Sequence, residues 1–204
     1  MKRRTLDTIF SFGGLALAAL LLILGLVMAN QANFAETYVK DQLGQQKIIF
    51  TPVAFLTAEE KKSVCVVDNA GKPLITGKQA ECYANEYIGL HVKGFNDGKT
   101  YSQTSGESRA MKAKAAEAKT AGSPDAAALA DQAAVLAAKT DLLFRGETLR
   151  GLLLTSYGFS IFGERAGQAG SVAFAAALVL LLASIAGFAH AFTKEADKDI
   201  LTHS

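Results

Sequence analysis

Tyr83, Tyr87 and His91 carry most of the chemistry this sequence offers. Residues four and eight apart share one face of a helix, so two phenols and an imidazole line up. Such a set suits ligand binding or proton transfer, and the three stand as ligand candidates. Glu86 is close by in the sequence, and His91 is the only histidine between the two apolar ends of the chain. His190 and His203 lie at or beyond the second apolar end. A catalytic zinc usually takes two or three His or Cys ligands, and a facial iron site takes two histidines and a carboxylate. One imidazole meets neither requirement. The chain also carries no C-x-x-C-H haem attachment, no G-x-x-x-x-G-K-[ST] phosphate loop and no G-x-S-x-G elbow. These observations lead to the expectation of no catalytic residue, no metal ligand set and no cofactor.

The charge distribution explains where these residues must sit. The 204 residues are 50% hydrophobic and 20% charged, which matches a soluble domain on average, but the apolar residues are segregated to the ends. Residues 9–29 contain Ser11 as their only polar side chain. At about 1.5 Å per residue they reach roughly 30 Å, the thickness of a hydrocarbon core. Residues 171–192 form a second such stretch, with Ser184 and His190 as polar exceptions. Backbone groups in lipid must find partners within the segment, so both are expected to be transmembrane helices. Lys2, Arg3, Arg4 and the Val27-Met28-Ala29 sequence also fit a signal peptide, but the apolar core exceeds the usual 7–15 residues, which favours an uncleaved anchor.

The basic residues before the first span place residues 1–8 in the cytoplasm by the positive-inside bias. Two spans return residues 193–204 to the same side, where Lys194 and Lys198 are offset by Glu195, Asp197 and Asp199. Residues 30–170 then form one extracytoplasmic domain, and the protein is a multi-pass membrane protein with both termini cytoplasmic. Cys65 and Cys82 both fall in that domain, where oxidation is permitted, and a disulfide between them is expected. Closing a loop of about 18 residues would stabilise the domain by roughly 3 kcal/mol. The net charge of +2 and the absence of a basic face argue against a nucleic-acid partner.

Within the outer domain the helical pattern continues past the first span through Phe34, Tyr38 and Leu43, with Gly44 as its stop. Ile48-Ile49-Phe50 reads as a short β-prone run, and Thr57 and Glu60 have capping-box spacing. Val64-Cys65-Val66-Val67 reads as a strand followed by a turn at Asp68-Asn69-Ala70-Gly71. A helix starts at Thr76, capped with Gln79, and carries Ala80, Tyr83, Ala84, Tyr87, Ile88 and His91 on one face. Residues 109–119 read as a solvated helix, and Ser123-Pro124-Asp125 as the start of another, marked by Leu129, Leu136 and Leu143. Residues 149–162 are apolar but too short to span; they would pack on the domain or lie on the membrane surface. Gly163, Gly167 and Gly170 suggest a bend before the second span. The fold class expected is a two-helix transmembrane hairpin with a mainly helical extracytoplasmic domain containing minor β.

The chain resembles a family of uncharacterised bacterial two-span membrane proteins. The likeness rests on Thr76-Gly77-Lys78-Gln79-Ala80, on Tyr83-Ala84-Asn85 with Ile88 and His91, on Gly98-Lys99-Thr100-Tyr101, and on the stretch from Phe144 through Leu149-Arg150-Gly151 to Leu154. It implies a bacterial cytoplasmic membrane location. Some members carry the label of aromatic ring-opening dioxygenase, an activity whose iron site takes two histidines where this domain has His91 alone.

The spans hold no Asp, Glu, Lys or Arg and so line no ion path. Gly14 and Ala18 in the first, and Ala183, Gly187 and Ala191 in the second, recur at four-residue spacing and are expected to pack helices closely. The expected partners are the lipid bilayer and other membrane proteins or a second copy. The leading functional expectation is a non-catalytic accessory or interaction subunit of a membrane complex. A small-ligand or stress sensor working through a partner is the second, and an enzyme using His91 the third.

Overall fold

The computed structural model of the chain describes residues 3–193. Lys2, the charged tail residues Lys194, Glu195, Asp197, Lys198 and Asp199, and His203 lie outside the described residues. The chain is mainly helical: α1 covers Arg3–Gln45, α2 Val64–Asn69, α3 Gly77–Cys82, α4 Gly89–Gly94, α5 Tyr101–Thr120 and α6 Ala126–Ala191. A π-helical segment, Tyr83–Ile88, joins α3 to α4, and short 3-10 turns occupy Val53–Phe55 and Glu60–Lys62. Two compact units result, one of Met1–Thr37 with Ile161–Ser204, the other of Tyr38–Ser160.

In the first unit α1 and α6 lie side by side and antiparallel. The Ser184 side chain sits over Gly14, the Phe174 ring over Gly25, and Ala35 against Gly163. Numbers rise along one helix as they fall along the other. Small residues recur every seven positions on both: Ser11, Ala18, Gly25 and Ala32 on α1, and Gly163, Gly170, Ala177, Ser184 and Ala191 on α6. A seven-residue repeat keeps one seam facing its partner, as in a left-handed coiled coil, and small side chains let the backbones approach. The large apolar side chains point outward instead, with Phe10, Leu20, Leu26 and Leu182 all exposed. Both helices are long and apolar enough to cross a membrane.

The seam corrects one expectation. Gly14, Ala18, Gly187 and Ala191 lie in or beside it, but Ala183 is on the exposed side of α6 and Ser184 takes its place. At Gly163, Gly167 and Gly170, where a bend was expected, the helical hydrogen-bonding of α6 continues without a break. These glycines instead meet Ala35, Ala32, and the Gly25–Ala29 backbone with Met28. At the far end of the pair, His190 Nδ1 lies 2.8 Å from Asp7 Oδ2, a polar link that the sequence reading did not anticipate.

The second unit has a core of Val39, Leu43, Phe50, Leu56, Val66, Leu74 and Leu153 with Ala80, Cys82 and Ala84. The last turns of α1 contribute Val39 and Leu43, whereas Phe34 and Tyr38 are exposed, so the buried face lies one position on from the one expected. The helix runs one residue past Gly44, and Lys47, with φ of 52°, makes the left-handed exit. Among the described residues there is no strand. The expected β reduces to one antiparallel bridge, Ile49 with Pro73. The run at Val64-Cys65-Val66-Val67 is helical, because a short apolar run does not by itself distinguish strand from helix. Val66 points into the core, and the Asn69 side chain donates to the Cys65 carbonyl at 2.8 Å, closing the turn. Gly71, with φ of 73°, then reverses the chain.

Residues 149–162 belong to α6, and Leu153 is buried in the core. The α3–π–α4 segment packs antiparallel to that stretch, and glycine marks each close approach. Gly77 lies against Ser160 and Tyr157, Gly89 against the Arg150 side chain, and Gly146 against Val92. Residues 109–119 fall on α5, which starts earlier than expected, at Tyr101. Thr100 and Gln103 form a capping box there. A buried polar knot ties α5 to α6: Asn96 donates to Thr104 Oγ1 at 3.0 Å, and Lys139 donates to Asn96 Oδ1 at 3.1 Å. Thr104 is fully buried and has its partner, so the knot holds without an unpaired polar group.

Candidate functional site

The second unit gathers its titratable side chains around the helix that begins at Thr76. That start is fixed locally. The Gln79 amide donates to Thr76 Oγ1 at 3.2 Å, and Gln79 Oε1 accepts from the Thr76 amide at 3.0 Å. Past Cys82 the helix widens into the π segment, where the Gly89 amide reaches back five residues to the Ala84 carbonyl. Arg150 Nε also donates to that carbonyl, at 3.0 Å. Its guanidinium is held in turn by Glu147 at 2.8 Å. Such π segments are rare and frequently mark functional positions.

The π segment sets the rings in a column. Tyr83 stacks on Tyr87 with centroids 4.8 Å apart, and Tyr87 lies 4.7 Å from the His91 ring. Phe50 closes the other end, edge-on to Tyr83 at 5.1 Å. The Tyr87 hydroxyl is 3.1 Å from Thr51 Oγ1. The three ligand candidates are therefore neighbours in space. Burial pushes the Tyr83 phenol above its ordinary value, and the neighbouring Tyr87 adds to this. Tyr83 accordingly stays protonated at neutral pH and offers no phenolate.

Glu60 completes the cluster, although its spacing announced only a cap. It is 3% exposed. Its Oε2 accepts from the Thr57 amide at 2.6 Å, while its own amide donates to Thr57 Oγ1 at 3.2 Å. Its Oε1 faces His91 Nε2 at 3.5 Å. The other ring nitrogen, Nδ1, is 2.7 Å from the Tyr87 carbonyl. Both ring nitrogens thus face oxygens, one of the backbone and one of a carboxylate. The Thr57 amide holds the Glu60 carboxyl below its ordinary 4.5; the Thr57 hydroxyl and His91 add to this, and burial works against it.

Cys65 and Cys82 are joined in a disulfide, with Cα atoms 6.1 Å apart, and link α2 to α3. They supply no thiol for nucleophilic attack or metal binding. A cavity of about 320 Å³ beside the bridge is lined by Lys78, Glu81, Asn85, Glu86 and Tyr157. Among the described residues, no group of three or more His, Cys, Asp or Glu side chains is placed to hold a metal ion. The cluster sets the His91 imidazole against the Glu60 carboxylate. Its hydrogen bonds run inward, to Thr51, Thr57 and the Tyr87 carbonyl, and none forms the nucleophile–base–orienter chain that covalent catalysis needs.

A second feature of this unit is an open, mostly apolar groove of about 510 Å³. Tyr38, Gln42 and Gln46 of α1 form one wall, and Leu149, Leu152 and Phe159 of α6 the other. Leu152 is 63% exposed. The sequence reading missed this groove, since it depends on which faces of two distant segments meet.

Two outcomes follow. The unfolded chain lacks the Thr57 bonds, so it binds the Glu60 proton more readily than the folded protein does. The stability contributed by Glu60 is complete above 4.5 and is lost as pH falls through the lowered folded value. Thermal melting of the Tyr38–Ser160 unit followed from pH 7 to pH 3 should show this acid loss, and Glu60→Gln should flatten it; an identical slope in the variant would refute the assignment. Separately, alkylation of protein taken from its membrane without reductant should label neither cysteine, and replacing both with serine should destabilise the unit by about 3 kcal/mol. Two labelled thiols would show that the bridge does not form.

No family model, curated protein or solved structure matches the chain.

Proposed function

We propose that this protein is a non-catalytic interaction subunit of the bacterial cytoplasmic membrane. Its two apolar helices form a transmembrane hairpin with both termini in the cytoplasm, and the Tyr38–Ser160 unit, tied by its disulfide, lies outside. The observation that carries this reading is the open apolar groove between α1 and α6. Leu149 and Leu152 are exposed there, although the unit has a closed core in which Leu153 is fully used. An exposed apolar surface of this kind, rimmed by Gln42, Gln46, Thr155 and Ser156, suits docking of another protein. Retention of the first span is supported by the packing of Ser11, Ala18 and Gly25 against α6, which a cleaved signal would not supply.

The sensor reading keeps one supporting observation. His91 is 44% exposed at its side chain and faces the buried Glu60 carboxylate at 3.5 Å, so a group at the surface is in contact with a buried one. The output would still have to pass through a partner.

The interaction reading is tested by placing a photo-crosslinking amino acid at Leu152 in living cells. Irradiation should give discrete protein adducts, with few or none from the same probe at Lys112 on α5. Adducts to lipid alone, or equal yields at the two positions, would count against docking at the groove.

A further inference from the structure

The Cys65–Cys82 bridge forms part of the wall of the cavity of about 320 Å³ described above, and both cysteines line it. The cavity is open to solvent, so a small molecule can approach the bridge while the unit stays folded. Cys65 is half-buried and Cys82 is 6% exposed, so Cys65 offers the more open sulfur. The Ser63 hydroxyl lies 3.5 Å from Cys65 Sγ. A bridged sulfur has no proton to give, so Ser63 is the donor. Lys78 stands four residues before Cys82, on the same face of α3, and lines the same cavity. Glu81 and Glu86 line it as well, so two carboxylates outweigh one ammonium and the cavity is net negative. Tyr157 of α6 contributes an aromatic wall.

We propose that Cys65 is a site of thiol exchange, at which a small thiol carrying a positive charge enters the cavity and opens the bridge. Glu81 and Glu86 attract the charge of the incoming molecule, and its thiolate attacks Cys65 Sγ. A bond forms between the incoming sulfur and Cys65 as the Cys65–Cys82 bond breaks, and the electron pair leaves on Cys82 as a thiolate. The ammonium of Lys78, on the same helix face as Cys82, favours that charged leaving group. The Ser63 hydrogen bond draws charge from the sulfur under attack. Solvent then protonates Cys82. A second molecule of thiol displaces the first from Cys65, so two thiols are oxidised to their own disulfide and the two cysteines are reduced.

Opening the bridge leaves α2 tied to α3 by Val66 in the core and by Gln79 Nε2, which donates to Asn69 Oδ1 at 3.1 Å. The start of α2 is what it releases. That start follows directly on the Glu60–Lys62 turn, where the Ser63 amide donates to the Glu60 carbonyl at 3.1 Å. Exchange at Cys65 therefore loosens the segment that holds Glu60 against His91. A bridge sealed inside a core behaves differently. It is reduced only when the protein unfolds, at a rate set by unfolding and indifferent to the charge of the thiol.

The test uses the full chain in mild detergent with its native bridge, kept well below its melting temperature. Cysteamine serves as the cationic thiol and mercaptoethanesulfonate as the anionic one. Alkylation of the freed thiol and peptide mapping should place the mixed disulfide on Cys65, formed at a rate proportional to thiol concentration. The preference for cysteamine should exceed that of a small uncharged disulfide by about tenfold. Glu81→Gln combined with Glu86→Gln should bring the preference down to that of the small disulfide, and Ser63→Ala should slow the cysteamine reaction. Melting temperatures of the variants, measured with the bridge intact, check that they fold. A rate that does not rise with thiol concentration means that the bridge opens only on unfolding, and overturns the proposal. So does a preference that the double variant leaves unchanged, or an adduct found on Cys82 alone.

Discussion

In each unit the other helices approach the backbone of α6 more closely than ordinary side chains allow, and the rest of the packing depends on the small residues that permit this. In the Tyr38–Ser160 unit Gly77 lies against Ser160 and Gly146 against Val92; in the other, Gly163 meets Ala35 and Gly170 meets the Gly25 carbonyl. A Cβ at Gly77 or Gly146 would collide with the neighbouring side chain, so the contact forms only while the position is bare. Close approach does two things. It lets dispersion contacts accumulate along a long seam, and it brings Arg150 within reach of the Ala84 carbonyl at the π segment. The ring column of Tyr83, Tyr87 and His91 stands on that segment. Its geometry therefore follows from packing against α6 as much as from the column's own stacking.

Several parts of this arrangement were legible in the sequence because their causes are local. The two helices long and apolar enough to cross a membrane show as apolar runs. The capping boxes at Thr57 and Thr76 form as their spacing implies, since the bonds close within three residues. That Tyr83, Tyr87 and His91 share a face was expected from their four-residue spacing, and the π segment sets how the rings stack. Other parts were not legible because they are settled by distant neighbours. Val64-Cys65-Val66-Val67 has β-branched residues that suit a strand, yet the core accepts Val66 from a helix. Glycines at 163, 167 and 170 read as a hinge when seen without a partner, and as a contact surface once α1 lies beside them. Ala183 and Ser184 differ by one position, and only the partner's location decides which is inside.

The chemistry of the site was half visible. His91 and its two tyrosines could be named from spacing, whereas Glu60 was seen only as a cap. It serves both roles, because the oxygen not used in capping faces the imidazole. The same residue thus joins the Glu60–Lys62 turn to the exposed histidine. Gly77, Gly89 and Val92 on one side, and Gly146, Arg150 and Ser160 on the other, meet along the contact between the α3–π–α4 segment and α6. That contact holds the core side of the unit closed and turns Leu142, Leu149 and Leu152 outward.

The central claim is that bare backbone at Gly77 seats the α3–π–α4 segment on α6. Hydrogen–deuterium exchange of the full chain in lipid tests it most directly, comparing the unaltered protein with Gly77→Leu and Gly106→Leu. A Cβ at Gly106 meets nothing within 4 Å, so that variant controls for the larger side chain itself. The account predicts that Gly77→Leu strips protection from residues 77–94 while α5 keeps its own, and that Gly106→Leu leaves residues 77–94 unchanged. Unaltered protection of residues 77–94 in Gly77→Leu would contradict it.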